Sequence, residues 1–363
     1  MISVSLCMIV KNEEKVLSRC LESVADMVEE IVIIDTGSTD ETKKIAKRYT
    51  DKIYDFEWED DFAKARNYGF SKATKEYTLW LDADDVILEE DRKKFQELKE
   101  SLDPSYDSVQ MVYVLATDGN GAATSSLNRN RLVKTSRGFK WIGVVHEFLE
   151  VYGKIFYSDI CITHKSVKTG KSDRNLKIYE KKLAQKEEFS PRDLYYFGNE
   201  CFDHALFDRA VENYRAFLDT KKGWVEDCIR ACDQAAEALI QLTKNKEAEQ
   251  YIYESFSYDL PRASLCCKLG YLRLAEKKFE QAIFWYKQAA ESDFDRVKAT
   301  GTIVNYAYYT WLPHLQLCVC YDSVGKYEQA YYHNEMAGLY QPFNPSVLHN
   351  KRYLESLLSA KEV

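Results

Sequence analysis

The sequence predicts a two-domain protein, in which an α/β domain with a mixed, mostly parallel sheet precedes an all-α domain of paired helices. Up to about Ile87, short apolar runs alternate with charged amphipathic segments, which is a βαβ pattern. After about residue 190 the sequence is helical, and small residues recur within it. A length of 363 residues allows two separate cores. We expect domains at 1–170 and 191–363, joined by a basic linker at 171–190.

Four apolar runs mark the first strands. They are SVSLCMIV, EEIVIIDT, DKIYDF and YTLWLD, separated by helix-like stretches around residues 13–26, 39–49 and 62–73. Continuously apolar strands are typical of parallel sheets buried on both faces, and such sheets bind ligands at the carboxyl ends of their strands. More β-rich sequence follows between residues 105 and 165, with Gly119 and Gly121 in a predicted flexible loop.

The second domain repeats a pattern around four alanines, each near the predicted start of the second helix of a pair. These alanines, spaced by 38, 34 and 48 residues, are Ala210, Ala248, Ala282 and Ala330. Gly198 and Gly270 lie twelve residues before two of them, and Tyr214 and Tyr286 lie four residues after the same two. The spacing resembles the tetratricopeptide repeat, whose small residues let paired helices approach closely. An unrelated helical bundle is the alternative.

A repeat array of this kind usually presents a concave surface to a peptide. Its C-terminal edge, around AYYHNEMAGLYQPF, offers a surface for pairing with a second chain as a homodimer. A peptide acceptor and a homodimer are therefore the partners that the second domain suggests.

Charge and cysteine content exclude several classes of partner. The chain has 50 Lys and Arg against 58 Asp and Glu, so its net charge of −8 favours neither nucleic acid nor an anionic membrane. None of the ten cysteines forms a CxxC pair, and we expect them to be reduced and buried. No apolar stretch approaches the length of a membrane span. We expect a cytoplasmic protein.

Three aspartates follow the fourth apolar run. If Leu81–Asp84 is extended, Asp82 and Asp84 point to the same side and Ala83 to the other. Two carboxylates so close repel each other unless a cation or hydrogen-bond donors lie between them, and Mg²⁺ or Mn²⁺ prefers such carboxylates together with phosphate oxygens. The alternative is an acidic strand end that caps a helix beginning near Glu89.

The motifs MIVKNEE, IIDTGSTDET, DFAKARNYG and WLDADD together resemble family 2 glycosyltransferases of the GT-A fold, in the family's order. The resemblance implies a UDP-sugar donor and a Mn²⁺ or Mg²⁺ cofactor. The residues it implies for binding the nucleotide-sugar are Asn12, Glu13, Asp35, Thr36, Gly37, Ser38, Arg66, Asn67, Asp82, Ala83 and Arg131. It implies Asp84 and His164 as metal ligands.

Three of these residues have simpler interpretations. Ser38, or Thr39 beside it, is also a suitable helix N-cap supported by Glu41. Arg66 is also an ordinary residue on a helix surface. His164 is in phase with apolar neighbours and also fits a partly buried structural histidine.

The stretch WIGVVHEFLE places His146 and Glu147 where the resemblance implies the base that activates the acceptor. Adjacent residues of a strand point opposite ways, so both face the acceptor only if a turn intervenes. An inverting transfer needs one general base. We favour Glu147 as the base and His146 as its support, although the Glu-Asp or Asp-Asp motif more familiar in the family is absent from this stretch.

The resulting hypothesis is a metal-dependent, inverting transfer of a hexose, glucose in the first instance, from a UDP-sugar to Cys or Ser of a peptide held partly by the repeats. Bacterial enzymes that glycosylate bacteriocin peptides have a similar arrangement. The alternatives are a saccharide or lipid-linked acceptor, and a repeat scaffold with an inactive nucleotide domain. A sugar nucleotidyltransferase would need a glycine-rich loop after the first strand, where MIVKNEEKVLSRC has no glycine.

Overall fold

The computed structural model describes residues 1–117, 123–167, 172–302 and 304–359. The chain divides into two compact units, Met1–Glu187 and Glu188–Val363. Gly119 and Gly121, predicted to lie in a flexible loop, are outside the described residues.

The first unit is built on an eight-stranded sheet in the order β3-β2-β1-β4-β7-β6-β10-β5. Its strands are β1 Val4–Val10, β2 Glu30–Asp35, β3 Ile53–Asp55, β4 Tyr77–Trp80, β5 Asp85–Val86, β6 Ser108–Thr117, β7 Ala123–Lys134 and β10 Ile155–His164. A separate hairpin pairs β8 Lys140–Ile142 with β9 Phe148–Glu150. Strands β3, β2, β1 and β4 run parallel, and so do β6 and β10, whereas β7 and β5 are antiparallel to their neighbours.

The helices of this unit follow the predicted alternation with the strands. They are α1 Leu17–Glu22, α2 Thr42–Ala46, α3 Phe62–Phe70, α4 Glu89–Ser101 and α5 Arg174–Ala184. Strand β2 is buried along its whole length, as its continuous apolar sequence predicts for a sheet covered on both faces. The mixed, mostly parallel sheet confirms the predicted fold class of this unit.

Helix α5 occupies most of the segment predicted to be a basic linker. Although the sequence of this helix is rich in lysine, the helix has a buried apolar face, formed by Leu176, Ile178 and Tyr179. The division between the two units lies after this helix, at Glu187.

The second unit is helical and consists largely of antiparallel pairs. Its helices are α6 Pro191–Asp203, α7 Phe207–Asp219, α8 Val225–Gln241, α9 Asn245–Ser255, α10 Ala263–Ala275, α11 Phe279–Ala290, α12 Phe294–Ala299, α13 Trp311–Ser323, α14 Tyr327–Tyr340 and α15 Pro345–Ser359. The four predicted alanines lie in α7, α9, α11 and α14, and each is fully buried. Helix α12 and a 3₁₀ turn at Tyr306–Tyr309 account for the longest repeat spacing.

Among the described residues, no helix is both long and apolar enough to cross a bilayer. The ten cysteines are free thiols, and all except Cys161 are buried, as the sequence predicts.

Close helix packing at Gly270 gives the first testable prediction. A Cβ added there would lie 2.8 Å from the ring of Tyr286, on the neighbouring helix α11. Overpacking of this kind costs about 1–3 kcal/mol. Gly270→Ala should therefore lower the free energy of unfolding, as measured by urea denaturation followed by circular dichroism.

Gly338 is the matched control, because it also lies within a helix. A Cβ there would meet Val347 Cγ1 at 3.4 Å, an ordinary contact. Gly338→Ala should be neutral, or stabilise the helix by up to ~1 kcal/mol. Equal losses in the two variants would show that the contact with Tyr286 is not what requires glycine at 270.

A histidine pair in the same unit predicts a dependence of stability on pH. His314 Nδ1 lies 3.0 Å from His333 Nδ1, and Tyr321 stacks on the His333 ring. Burial, with His314 and Lys287 nearby, lowers the pKa of His333 to about 4. Burial also lowers the pKa of His314. Because the unfolded chain binds protons more readily there, stability should fall as the pH drops from about 6.5 towards 4.

The measurement is the melting temperature at pH 7.5 and pH 5.0 for the wild type and for His333→Phe. Phenylalanine keeps a ring beside Tyr321 but does not titrate. The acid-induced drop in melting temperature should be smaller in the variant, and an unchanged drop would assign the pH dependence to other groups.

Candidate active site

The polar motifs meet at one edge of the sheet in the first unit. Strands β1, β2 and β4 are parallel, and Val10 at the end of β1 pairs with Asp35 at the end of β2. Strand β10 has the same direction as β4, because β6 and β4 are both antiparallel to β7 and β10 is parallel to β6. The carboxyl ends of these strands therefore bring Asp35, Asp82 and His164 to the same edge, as the sequence predicts.

A tight turn after β2 is organised by Asp35. This carboxylate is fully buried and accepts hydrogen bonds from the backbone N–H groups of Gly37 at 2.9 Å and Ser38 at 2.8 Å, both through Oδ1. Its Oδ2 is buried and has no hydrogen-bond partner among the described residues. Gly37 has a φ of 99°, which favours glycine over other residues. Thr36 directly follows β2, and its hydroxyl donates a hydrogen bond to the carbonyl of Val10.

Asn12, directly after β1, ties that strand to the turn. It adopts a left-handed conformation with φ 55°, which asparagine tolerates better than most residues. Its N–H donates to Ser38 Oγ at 3.0 Å, and its side-chain oxygen accepts from the N–H of Thr39 at 2.8 Å. The N–H of Glu13 donates to Thr42 Oγ1 at 2.7 Å.

The capping interpretation of this turn is wrong. Helix α2 begins only at Thr42, and its N-cap, Glu41, makes no side-chain capping bond. Ser38 Oγ instead accepts a hydrogen bond from the backbone N–H of Asn12. Ser38 therefore belongs to the loop between β2 and α2.

The extended conformation assumed for Leu81–Asp84 is also wrong. Strand β4 ends at Trp80, and the N–H of Asp85 donates to the carbonyl of Asp82 at 3.0 Å, which closes a turn. Ala83 and Asp84 form the middle of this turn. The turn separates the aspartates, since Asp82 binds Arg66 while Asp84 lies beside His164. The aspartates do not cap α4, whose N-cap is Leu88.

A cluster of ligand atoms suited to a metal ion is formed by Asp84, Asp85 and His164, all within 4.8 Å of one another. His164 Nδ1 lies 3.6 Å from Asp84 Oδ1 and 3.7 Å from Asp85 Oδ1. Strand pairing places His164 directly opposite Asp85. Asp85 and Asp84 raise the pKa of the His164 imidazole against the effect of burial.

These residues fit a divalent cation. Asp85 Oδ1 is buried and has no hydrogen-bond partner among the described residues, so an oxygen acceptor faces the cluster unsatisfied. Two carboxylates and one imidazole are a donor set that Mn²⁺ and related ions accept. The two predicted ligands, Asp84 and His164, thus lie together, and Asp85 joins them.

Arg131 neutralises the other oxygen of Asp85. Its Nη1 lies 2.9 Å from Asp85 Oδ2, and both side chains are fully buried. The guanidinium lies 3.9 Å from the centre of the Trp80 ring and 4.3 Å from that of Tyr113. Breaking a buried pair of this kind is costly, so Arg131 also has a structural role in fixing Asp85.

Arg66 forms ion pairs with two carboxylates: Asp82, expected to bind the sugar nucleotide, and Glu147, expected to activate the acceptor. Its Nη2 lies 2.8 Å from Asp82 Oδ1, and its Nε lies 2.6 Å from Glu147 Oε1. The guanidinium lies 5.1 Å from the centre of the Trp80 ring and 4.7 Å from that of Trp141, and the two rings contact each other edge to face. Only 8% of Arg66 is exposed, so its interpretation as a helix-surface residue is wrong. Burial raises the pKa of Asp82, but Arg66 and Arg131 outweigh burial and hold that pKa below its ordinary value.

The β8–β9 hairpin carries His146 and Glu147 to this bridge. Asn67, beside Arg66 on α3, holds the hairpin by two hydrogen bonds of 2.9 Å with the backbone of Trp141. A bend separates β8 from β9, and His146 within it has a φ of 51°. The sequence predicts that His146 and Glu147 can both face the acceptor only if a turn interrupts the strand, and this bend is such a turn.

A cavity of about 320 Å³ opens beside the bridge. Asp82, Glu147 and Tyr113 line it, together with Trp80 and Trp141. Its size falls within the range of small-molecule sites. Tyr113 connects it to the cluster, because its hydroxyl lies 3.1 Å from His164 Nδ1.

Three contributors to the site were missing from the predicted site residues. Asp85 belongs to the LDADD motif, and its position next to the predicted metal ligand Asp84 could have identified it as a further ligand. Trp141 begins the stretch WIGVVHEFLE, in which only His146 and Glu147 were predicted to serve the site. Tyr113 lies in a β-rich run without a motif, so only the fold brings it to the site.

Comparisons with known proteins assign the part of the chain that contains this site to a family of glycosyltransferases. Residues 5–172 match the model of glycosyl transferase family 2. A TPR repeat-containing protein of Synechococcus elongatus is 27% identical over 335 residues, which cover 89% of this chain and 74% of that protein. The SPbeta prophage-derived glycosyltransferase SunS of Bacillus subtilis is 27% identical over 289 residues. The glycosyltransferase SunS of Bacillus phage SPbeta matches equally well. The match to SunS covers 74% of this chain and 65% of SunS, which is less than two thirds of its length.

Proposed function

We propose that this chain, whose first unit carries a glycosyl transferase family 2 domain, transfers a hexose from a UDP-sugar to a Cys or Ser side chain of a peptide. The proposal rests on one observation: a cluster suited to a metal ion and a carboxylate suited to act as a base lie at the same end of the sheet. The Asp84–Asp85–His164 cluster and Glu147 are linked there through Asp82, Arg66 and Tyr113.

The donor nucleotide is proposed to bind at the turns after β1 and β2. Asp35 Oδ2 is a buried acceptor with no protein partner among the described residues, and an N–H of the base or a ribose hydroxyl would satisfy it. Asn12 and Ser38 hold this turn in place through their mutual hydrogen bond. Arg66 keeps Asp82 ionised, so Asp82 is ready to accept a hydrogen bond from the sugar nucleotide.

Asp84, Asp85 and His164 would hold Mn²⁺ or Mg²⁺. When bound, such an ion neutralises the charge that develops on the leaving diphosphate. The imidazole among the ligands favours Mn²⁺ over Mg²⁺, which prefers oxygen ligands. Arg131 fixes Asp85 from the opposite side and keeps the carboxylate orientation that the cluster needs.

Glu147 is proposed as the general base. It lines the same cavity as Asp82, where an acceptor hydroxyl or thiol can reach both the base and the sugar. One carboxylate that removes the acceptor proton is sufficient for an inverting displacement. Arg66 positions this carboxylate at 2.6 Å, and His146 lies in the bend directly before it.

The test is hexose transfer to synthetic peptides. Peptides identical except for one Ser, Cys or Ala are incubated with UDP-glucose, UDP-galactose or UDP-N-acetylglucosamine and Mn²⁺, and products are identified by mass spectrometry. The proposal predicts a gain of one hexose on the Ser or Cys peptide and none on the Ala peptide. A sugar gained equally by the Ala peptide would contradict a Cys or Ser acceptor. So would transfer only to a saccharide offered in place of the peptides.

A further inference from the structure

The β8–β9 hairpin of the first unit pairs its two strands with each other and lies outside the eight-stranded sheet. The N–H of Trp141 in β8 donates to Asn67 Oδ1, and the carbonyl of Trp141 accepts from Asn67 Nδ2. Both backbone groups of Trp141 therefore point away from β9. Facing residues of an antiparallel pair alternate between exchanging hydrogen bonds and pointing them outwards. Leu149, which faces Trp141, consequently points its own N–H and carbonyl away from β8.

Leu149 thus offers a main-chain donor and a main-chain acceptor at the outer edge of β9. Neither group makes a hydrogen bond among the described residues. An unpaired strand edge is a template for pairing with another extended chain, and proteins often block such edges with Lys or Pro. Strand β9, with the sequence FLE, contains neither. Because β9 has only three residues, its edge suits a short extended segment.

This edge adjoins the cavity that contains the proposed base. Phe148 and Leu149 of β9 line the cavity of about 320 Å³ together with Glu147. Arg66 binds Oε1 of Glu147, whereas Oε2 makes no hydrogen bond among the described residues. A chain paired with β9 would therefore run past a carboxylate oxygen that is available to accept a proton.

We propose that the outer edge of β9 binds the acceptor peptide as an added antiparallel strand. The identification of this peptide as the sugar acceptor rests on the proposed function. Facing residues in such a pair exchange both backbone hydrogen bonds, so one peptide residue donates to the carbonyl of Leu149 and accepts from its N–H. A polypeptide carries an N–H and a carbonyl on nearly every residue, at the spacing that a strand requires. The enzyme therefore recognises the main chain of its acceptor at this edge.

Strand pairing fixes which peptide residue meets the base. Glu147 precedes Leu149 by two residues, which is about 7 Å along an extended chain. An antiparallel peptide runs the opposite way, so its acceptor Cys or Ser lies two residues after the residue that pairs with Leu149. That pairing residue is position −2 of the peptide, counted from the acceptor.

The same register predicts a side-chain preference. Residues that face each other across two strands have their side chains on one face, so the side chain at −2 lies beside that of Leu149. Leu149 packs against an apolar cluster that includes Trp141 and Trp80. An apolar residue at −2 would bury surface there, whereas the side chain at −1 points to the opposite face. We therefore expect an apolar preference at −2 and little preference at −1.

The experiment compares backbone N-methylation at two neighbouring positions of the acceptor. The substrate is a pool of synthetic peptides with one central Cys, random residues on both sides and no other Cys, Ser or Thr. The full-length chain is supplied with Mn²⁺ and the three UDP-sugars named above, and the peptides that gain a sugar are sequenced by mass spectrometry. Three pools are used: unmethylated, methylated at the −2 amide and methylated at the −1 amide.

The −2 amide faces Leu149 in the proposed pair, so its methylation should lower transfer at least tenfold. The −1 amide points away from β9, so its methylation should change transfer less than about twofold. Products of the unmethylated pool should be enriched in apolar residues at −2 relative to −1. Equal losses in the two methylated pools would overturn strand pairing, and equal composition at −2 and −1 would overturn the register.

Leu149→Pro tests the same contact from the side of the enzyme. Proline has no N–H, and because the N–H of Leu149 points away from β8, its loss should leave the hairpin ladder intact. Leu149→Ala is the matched variant, since it shortens the side chain but keeps the N–H. Leu149→Pro should transfer sugar to the unmethylated pool about fivefold more slowly than Leu149→Ala. Equal rates would overturn the contact, and the methylated pools decide the question alone if the melting profile shows that proline unfolds the domain.

Failure of the strand edge and failure of the proposed function give different results. Sugar gained by the unmethylated pool, with equal losses on methylation at −2 and −1, would refute the strand edge alone. A chain that binds UDP but transfers sugar to no peptide of the pool would refute the peptide acceptor itself, and the strand edge with it.

Discussion

Glu147→Gln is expected to lower hexose transfer to a serine peptide by about 10²–10⁴-fold, the usual contribution of a general base. Glutamine has nearly the same shape and its oxygen can still accept the 2.6 Å hydrogen bond from Arg66 Nε, so the bridge should persist. Transfer to a cysteine peptide should fall less, because a thiol loses its proton more readily than a hydroxyl. Initial rates on peptides that differ only in Ser or Cys provide the measurement.

Glu150→Gln is the matched control for this variant. Glu150 is an exposed residue of strand β9, three positions after Glu147, and it does not line the cavity. Its replacement should leave both rates unchanged. Equal losses on the two peptides in Glu147→Gln would argue that Glu147 holds Arg66 in place rather than removing a proton.

Asp84→Asn is expected to weaken metal-dependent binding of UDP by about 100-fold or more, since even the outer partners of metal ligands contribute 10–100-fold. The substitution removes the negative charge from the cluster with His164 but leaves the backbone carbonyl that accepts from the N–H of Lys165. The fold should therefore be preserved. Calorimetric titration of UDP in the presence of Mn²⁺ provides the measurement.

Asp51→Asn controls for the loss of one negative charge. Asp51 is exposed and lies outside the cluster, so its replacement should not change UDP binding. If Asp84→Asn bound UDP and Mn²⁺ as the wild type does, the cluster would not be the metal site.

The position of the site could be predicted because parallel strands fix it. Asn12, Asp35 and Asp82 follow apolar runs, and parallel topology brings the ends of such runs to one edge of the sheet. The proximity of Asp84 to His164 could be expected from the resemblance to a known family, although the two residues are 80 positions apart. The four buried alanines likewise follow from a regular spacing in the second unit.

Contacts made by irregular backbone could not be predicted in this way. The bridge from Asp82 through Arg66 to Glu147 depends on a turn after β4 and on a hairpin that Asn67 anchors to α3. Neither has a periodic signal in the sequence. The assumption that Asp82 and Asp84 share one side failed for the same reason, because strand alternation stops at Trp80.

Polar sequence also concealed regular structure. Strand β7 extends over Ala123–Lys134, although the sequence SSLNRNR within it lacks the usual apolar alternation of a strand. Asn130 in this stretch lines the cavity and Arg131 is buried beside Trp80, so the polar residues serve the site. Helix α5 was likewise predicted to be a linker, because its lysines make the sequence polar.

The most direct test of the donor site is calorimetric titration of UDP into the wild-type chain with Mn²⁺, with Mg²⁺ and with EDTA. We expect saturable binding with either metal, tighter with Mn²⁺, and loss of binding in EDTA. Absence of UDP binding under all three conditions would contradict a sugar-transfer site at the strand ends and leave the helical unit as the functional part of the chain.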